Sequence, residues 1–177
     1  DRRNHVSWEL RLATTAEAPH AQFRMCRKTE QGTYLVPFTA EGAVREYAAD
    51  GKVVRGFPAM PAPVCALRLE DGHTLISAGR AVTEYDAGDR VVWELTEADV
   101  PDLNIATPAG IQRLPNGNTV VCNWNAADAG GKLGAHVFEV TPDKRVVWHV
   151  AGPHTGRVAQ CQLLNPDLTP RQDGIRR

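Results

Sequence analysis

Gly72-His73-Thr74-Leu75-Ile76, followed by Glu84-Tyr85 and then Val91-Val92-Trp93, is the stretch whose reading decides the fold. Its first half, a turn leading into a strand, recurs as Gly32-Thr33-Tyr34-Leu35-Val36 and Gly117-Asn118-Thr119-Val120-Val121, with the glycines 40 and 45 residues apart. Its second half recurs as Glu46-Tyr47 up to Val53-Val54-Arg55, and as Glu139-Val140 up to Val146-Val147-Trp148. Between these strands lie turn formers: Asp50-Gly51-Lys52, Ala87-Gly88-Asp89 and Pro142-Asp143-Lys144. Each unit therefore predicts four short strands, in the second unit about Val64–Leu69, Thr74–Ala78, Val82–Tyr85 and Arg90–Leu95. A period near 40 with four strands per unit predicts an all-β fold, a β-propeller of four-stranded antiparallel blades. Helical periodicity is almost absent; only Thr96–Val100 predicts a helical turn, with Thr96 as its cap.

Working outward, three complete blades are expected at about 20–57, 62–95 and 106–150, within a single partial propeller domain over 1–177. Val6-Ser7-Trp8-Glu9-Leu10 matches Val91-Val92-Trp93-Glu94-Leu95, so residues 5–10 are expected to be the outermost strand of an earlier blade. Residues 157–165 resemble the innermost strand of a later one. The chain has no initiator Met and opens inside a predicted strand, which points to a fragment or a processed product. A propeller hides its strand edges by closing the ring. The expected partners are accordingly the remaining blades or a second copy of the chain.

Composition narrows the function classes. Lys+Arg is 20 against Asp+Glu 21, so there is no bulk attraction to nucleic acid or anionic lipid. The basic tail of Arg171, Arg176 and Arg177 reads as a solvated terminus. No apolar stretch is long enough for a membrane span, and no segment reads as a signal peptide. Cys26, Cys65, Cys122 and Cys161 are far apart and lack C-x-x-C spacing; free, buried thiols are the expectation.

From His20 to Leu164 the chain resembles a family of bacterial exported proteins described as pyrroloquinoline-quinone-like or six-bladed propeller repeat proteins. The segments that carry the resemblance are His20-Ala21-Gln22-Phe23-Arg24, Gly32-Thr33-Tyr34-Leu35-Val36-Pro37, Val44-Arg45-Glu46-Tyr47 and Ala109-Gly110-Ile111-Gln112-Arg113-Leu114-Pro115-Asn116-Gly117-Asn118-Thr119. The last runs on into Val121-Cys122-Asn123-Trp124. The resemblance implies a six-bladed ring of which these residues form the C-terminal half, and a periplasmic or extracellular location. It implies little about activity. No cofactor is expected despite the quinone in the family's description. Trp8, Trp93 and Trp148 share one repeat position that Arg55 fills in another blade, as a packing position would. No calcium-binding carboxylate cluster lies beside them.

Chemistry is expected where residues break the repeat, since repeat-keeping residues are explained by the scaffold. His20 and Arg24 stand at the entry to the innermost strand of the first complete blade. Arg24 is suited to gripping a carboxylate or sulfate, and His20 to acid, base or ligand roles, against the plainer alternatives of backbone satisfaction and loop capping. The insertion Cys122-Asn123-Trp124-Asn125-Ala126-Ala127-Asp128-Ala129-Gly130-Gly131-Lys132 replaces the short connection Ser77-Ala78-Gly79-Arg80 of the preceding blade. Trp124 flanked by Asn123 and Asn125 offers an aromatic face for a sugar ring and amides for its hydroxyls; the alternative is a Trp packing its own loop. The loop Asp99–Pro108 contributes Asn104, with Asp99 and Asp102 read as capping residues. The candidate ligand-binding set is thus His20, Arg24, Arg80, Asn104, Asn123, Trp124 and Asn125, with no metal site. The expected function is a non-catalytic exported propeller binding a glycan or other polar ligand at its channel mouth. The alternatives are a glycan lyase or hydrolase completed by further blades, and a propeller for protein–protein assembly.

Overall fold

The structure, a computed structural model, describes residues 5–6, 8–126, 134–152, 155–167 and 169. Ser7, the segment Ala127–Lys132 of the insertion, His154 and the C-terminal arginines fall outside them. The described strands form three four-stranded antiparallel sheets. The first holds β1 (Arg27–Lys28), β2 (Tyr34–Phe38), β3 (Ala43–Tyr47) and β4 (Val53–Gly56), hydrogen-bonded in that order. The second holds β5 (Pro63–Arg68), β6 (Thr74–Ala78), β7 (Ala81–Tyr85) and β8 (Val91–Thr96). The third holds β9 (Pro108–Arg113), β10 (Thr119–Asn123), β11 (Val137–Val140) and β12 (Val146–Val150). Each sheet is a blade, and together they make an open arc of a β-propeller. The innermost strands neighbour one another: Met25 bridges Cys65 in parallel, and β5 in turn packs on β9.

Strand alternation explains how each blade serves two interfaces. Leu35 packs between the first and second blades, and its neighbour Val36 faces the other way, with Phe38 and Tyr47. Ile76 joins Leu35 between blades one and two, whereas Leu75 packs with Ile111, Val121 and Phe138 between blades two and three. A strand with both faces covered reads as a continuous apolar run rather than a clean alternation. That is why Thr74–Ala78 and Thr119–Asn123 are buried almost throughout. The outermost strands are mostly exposed, including Val53, Val54, Val91, Val92, Val146 and Val147.

Polar clasps repeat along with the core. The indole N–H of Trp8 donates to the Ala49 carbonyl (3.1 Å), and that of Trp93 to the Pro142 carbonyl (2.8 Å). Arg55, at the same repeat position, donates to the Asp86 carbonyl (2.7 Å) and to the Asp89 carboxylate. Each of these side chains reaches the third-to-fourth-strand turn of the following blade. A second clasp lies further in: Glu46 pairs with Arg68, and Glu84 with Arg113, each Arg belonging to the next innermost strand. Trp148 is half-buried against the cluster of Leu114, Val120, Cys122 and Val137, on which Val158, Cys161 and Leu163 also pack, but its indole donates to Glu139 of its own blade.

Several expectations change. Among the described residues, 5–10 form no strand, although Trp8 stacks on Tyr34 (centroids 4.4 Å apart) and Leu10 packs against the first blade. Side-chain packing holds this segment without a strand partner for its backbone. Residues 157–163 are likewise not in a sheet, yet they lie beside β9, where Gly110 N–H donates to the Ala159 carbonyl at 2.8 Å. A Cβ on Gly110 would meet that oxygen at 2.8 Å and Gln160 Cα at 2.9 Å, so the approach requires glycine. The predicted turn at Thr96–Val100 is present, but its cap runs the other way: Thr96 N–H and Oγ1 donate to the Asp99 carboxylate (2.8 and 2.9 Å). An unforeseen helical turn, Pro19–Gln22 (α1), precedes the first blade. The cysteines are free thiols; Cys65 and Cys122 are buried, Cys161 is half-buried, and Cys26 is exposed on the segment entering β1.

Candidate functional site

The connections from second to third strand, and from blade to blade, emerge on one face of the arc. On that face a cavity of about 620 Å³ is lined by His20, Arg24, Thr107, Trp124 and Asn125, together with Val64 and Ala109 of the innermost strands. Arg24 is held by its main chain, which donates to the Pro37 carbonyl (3.2 Å). The preceding Phe23 bridges Phe38 and packs on it edge to face (5.0 Å, 82°). The Arg24 side chain is half-buried and its guanidinium has no hydrogen-bond or ion-pair partner among the described residues. The expected alternative, satisfaction by backbone carbonyls, is therefore not what is found. His20, in the last position but two of α1, is exposed at the cavity edge.

The opposite wall is built by the insertion. The main-chain N–H of Trp124 donates to the Thr107 carbonyl (2.9 Å), and its side chain is half-buried at the cavity. Asn125 Nδ2 donates to Thr107 Oγ1 (3.2 Å). Asn123 has another task. Its Oδ1 accepts from Ala106 N–H and Thr107 N–H (both 2.9 Å), and its Nδ2 donates to the carbonyls of Asn104 and Ala135 (both 3.0 Å). With two bonds at each end the amide is fully used, so Asn123 ties loops together and keeps nothing for a ligand. Asn104 is buried beside it in a left-handed conformation (φ 50°). Arg80 lies apart from this cavity, ion-paired with Glu97. The cavity thus brings His20, Arg24, Trp124 and Asn125 together, and does not include Arg80, Asn104 or Asn123. Asp99 is committed to Thr96 and to Lys144 Nζ (2.8 Å), which holds its carboxyl below the ordinary range.

The opposite face carries a group that the sequence reading passed over. His73 Nδ1 lies 2.8 Å from Glu84 Oε1 and 3.5 Å from Asp71 Oδ2, and the three ligand atoms are within 4.8 Å of one another. Corresponding contacts occur in the other blades, Thr33 to Glu46 and Asn118 to Glu139, so the Glu belongs to the scaffold. The signal that would have found the cluster is the simultaneous departure of two turn positions, Asp71 and His73, from their repeat counterparts.

No protein-family model and no curated protein matches the chain. Solved structures do resemble it. A protein of unknown function from Bacteroides caccae is 28% identical (TM-score 0.74) over 83% of this chain and 56% of that one. Virginiamycin B lyase from Staphylococcus aureus, solved as a catalytically inactive histidine-to-alanine variant with quinupristin, is 12% identical (TM-score 0.56) over 82% and 47%. Hydrazine synthase of Kuenenia stuttgartiensis is 13% identical (TM-score 0.61) over 90% and 44%. The chain therefore spans about half the length of the structures it matches. The last two likenesses bear on the fold alone.

Proposed function

We propose that the channel mouth forms part of a lyase site acting on a carboxylate-bearing glycan. The observation that carries this reading is the partnerless Arg24 guanidinium in the same cavity as His20. A guanidinium accepts a carboxylate through two parallel N–H donors and, in a half-dry site, draws electron density from it. The carbon α to that carboxylate then becomes acidic enough for a neutral imidazole to take its proton. As that C–H bond breaks, a carbon–carbon double bond forms, the β C–O bond breaks, and the departing oxygen is protonated from water or from the site. Trp124 would stack on a ring of the chain, and Asn125 would bond a hydroxyl. Hydrolysis is less well supported, because it ordinarily uses two carboxylates and the described lining offers none. Likeness to a lyase adds only that this architecture hosts eliminations; likeness to hydrazine synthase is the reminder that it hosts other chemistry. An exported location, which the family resemblance leads us to expect, would suit a polysaccharide substrate.

The reading is tested by offering polyuronates to the protein with its complete ring and following the ultraviolet absorbance of the conjugated product. Arg24→Ala and His20→Ala are each expected to lower the rate about 100-fold or more. Trp124→Ala is expected to weaken binding while leaving the unfolding midpoint nearly unchanged. Saturable glycan binding that depends on Trp124, with no product formed, would favour the non-catalytic reading that the Trp–Asn wall also supports.

A further inference from the structure

We propose that Asp71, His73 and Glu84 form a binding site for a divalent first-row transition ion of the zinc type, independent of the channel mouth. The argument starts from the repeat. The position before the strand-leading turn holds Gln31, Asp71 and Asn116 in successive blades, and the turn itself holds Thr33, His73 and Asn118. The scaffold asks only that this turn supply one hydrogen-bond donor to the strand-three Glu. Thr33 and Asn118 meet that need with a hydroxyl and an amide. Neither is a metal ligand of consequence. In the second blade alone, both positions change to residues that are, and they change together around a Glu already in place.

The geometry follows suit. Nδ1 of His73 stands 2.8 Å from one carboxylate oxygen and 3.5 Å from another, close to the separations that ligands adopt when each lies about 2 Å from a shared ion. One imidazole with two carboxylates is a set that zinc, cobalt or manganese favours over magnesium or calcium. The donors are held in advance. Asp71 Oδ1 accepts from the His73 N–H (2.9 Å), which closes the turn and leaves Oδ2 directed to the ring. Arg113 takes the other oxygen of Glu84, which orients that carboxylate and leaves Oε1 toward the histidine. The ion would take the place of a hydrogen at Nδ1, and the neutral imidazole would carry its one proton on Nε2. A solvent cavity of about 490 Å³ adjoins Asp71 and Arg113 and gives the ion a way in.

The site lies at the opposite end of β6 from Gly79, which lines the mouth cavity, so roughly 15–20 Å separates them. An ion here would stabilise the second blade, to which all three ligands belong, and would take no part in chemistry at the mouth.

The experiment measures zinc binding by competition with a chromophoric chelator, together with the unfolding midpoint with and without zinc. The natural protein is expected to bind one equivalent through these residues and to unfold at a higher temperature when loaded. His73→Asn, which installs the third blade's residue and keeps a donor to Glu84, is expected to fold with an unchanged metal-free midpoint. Its affinity should fall at least about tenfold, and its zinc-dependent shift should vanish. Asp71→Asn, which keeps the turn-closing oxygen, serves if the first variant does not fold. Equal zinc binding by natural and variant proteins, or none by either, would overturn the proposal.

Discussion

Asn123 concentrates more structural consequence in one amide than any charged residue of the loop face. Its four hydrogen bonds reach Ala106, Thr107, Asn104 and Ala135, which lie on segments well separated in sequence, and its side chain is fully buried. Asn123→Ala would leave two N–H groups and two carbonyls without partners in a dry place. We expect a loss of about 3 kcal/mol or more, read from the urea midpoint. A change smaller than about 1 kcal/mol would show that water takes over these bonds. In sequence, Asn123-Trp124-Asn125 is a symmetrical triplet, and nothing local separates a loop tie from a wall of the cavity. The distinction depends on which segments fold back over β10. Trp124 stands out in the sequence because it departs from the repeat. Arg80 lies outside the Arg24 cavity, paired with Glu97 on a loop whose path the repeat does not specify.

At the level of elements, the loop after β8 is fastened to the third blade through Asp99 and Lys144. The ammonium of Lys144, with the donors of Thr96, holds the Asp99 carboxyl below its ordinary value. A carboxyl lowered in the folded state adds stability above its unfolded titration, and that contribution disappears as pH falls through the folded one. Asp99→Asn should therefore be less stable at neutral pH, by at most about 1 kcal/mol because the pair is partly exposed. The gap to the natural protein should narrow below about pH 4. Thermal midpoints across that range test this, and a gap that widens on acidification would contradict it. The twelve strands of the described residues were largely readable, because turn glycines and Val-Val pairs recur in register. Residues 5–10 carry the same pattern as β8, yet the described ones among them form no strand, because a strand also requires a neighbour for its backbone.

For the whole molecule, the arc leaves the outer faces of its first and third blades to segments that pack without sheet pairing, Leu10 and Leu12 at one end, Val158 and Leu163 at the other. We expect the isolated 177-residue chain to recruit further strands, either blades of a longer protein or a second copy. Light scattering at low micromolar concentration should then report more than one chain per particle. A stable, fully folded monomer would sink this expectation.

The clasp made by Trp8, Arg55 and Trp93 also bears on how such a molecule can be inherited. Each clasp includes a main-chain carbonyl as acceptor, on Ala49, Asp86 or Pro142, and only Arg55 adds a side-chain acceptor, Asp89, so a turn that receives an indole is under little pressure to keep any particular side chain. Only the donor must be conserved in kind, and an indole or a guanidinium serves. A duplicated blade would thus fit beside its parent from the first generation, without a matching mutation in the neighbour. Its third-to-fourth-strand turn would then be at liberty to drift.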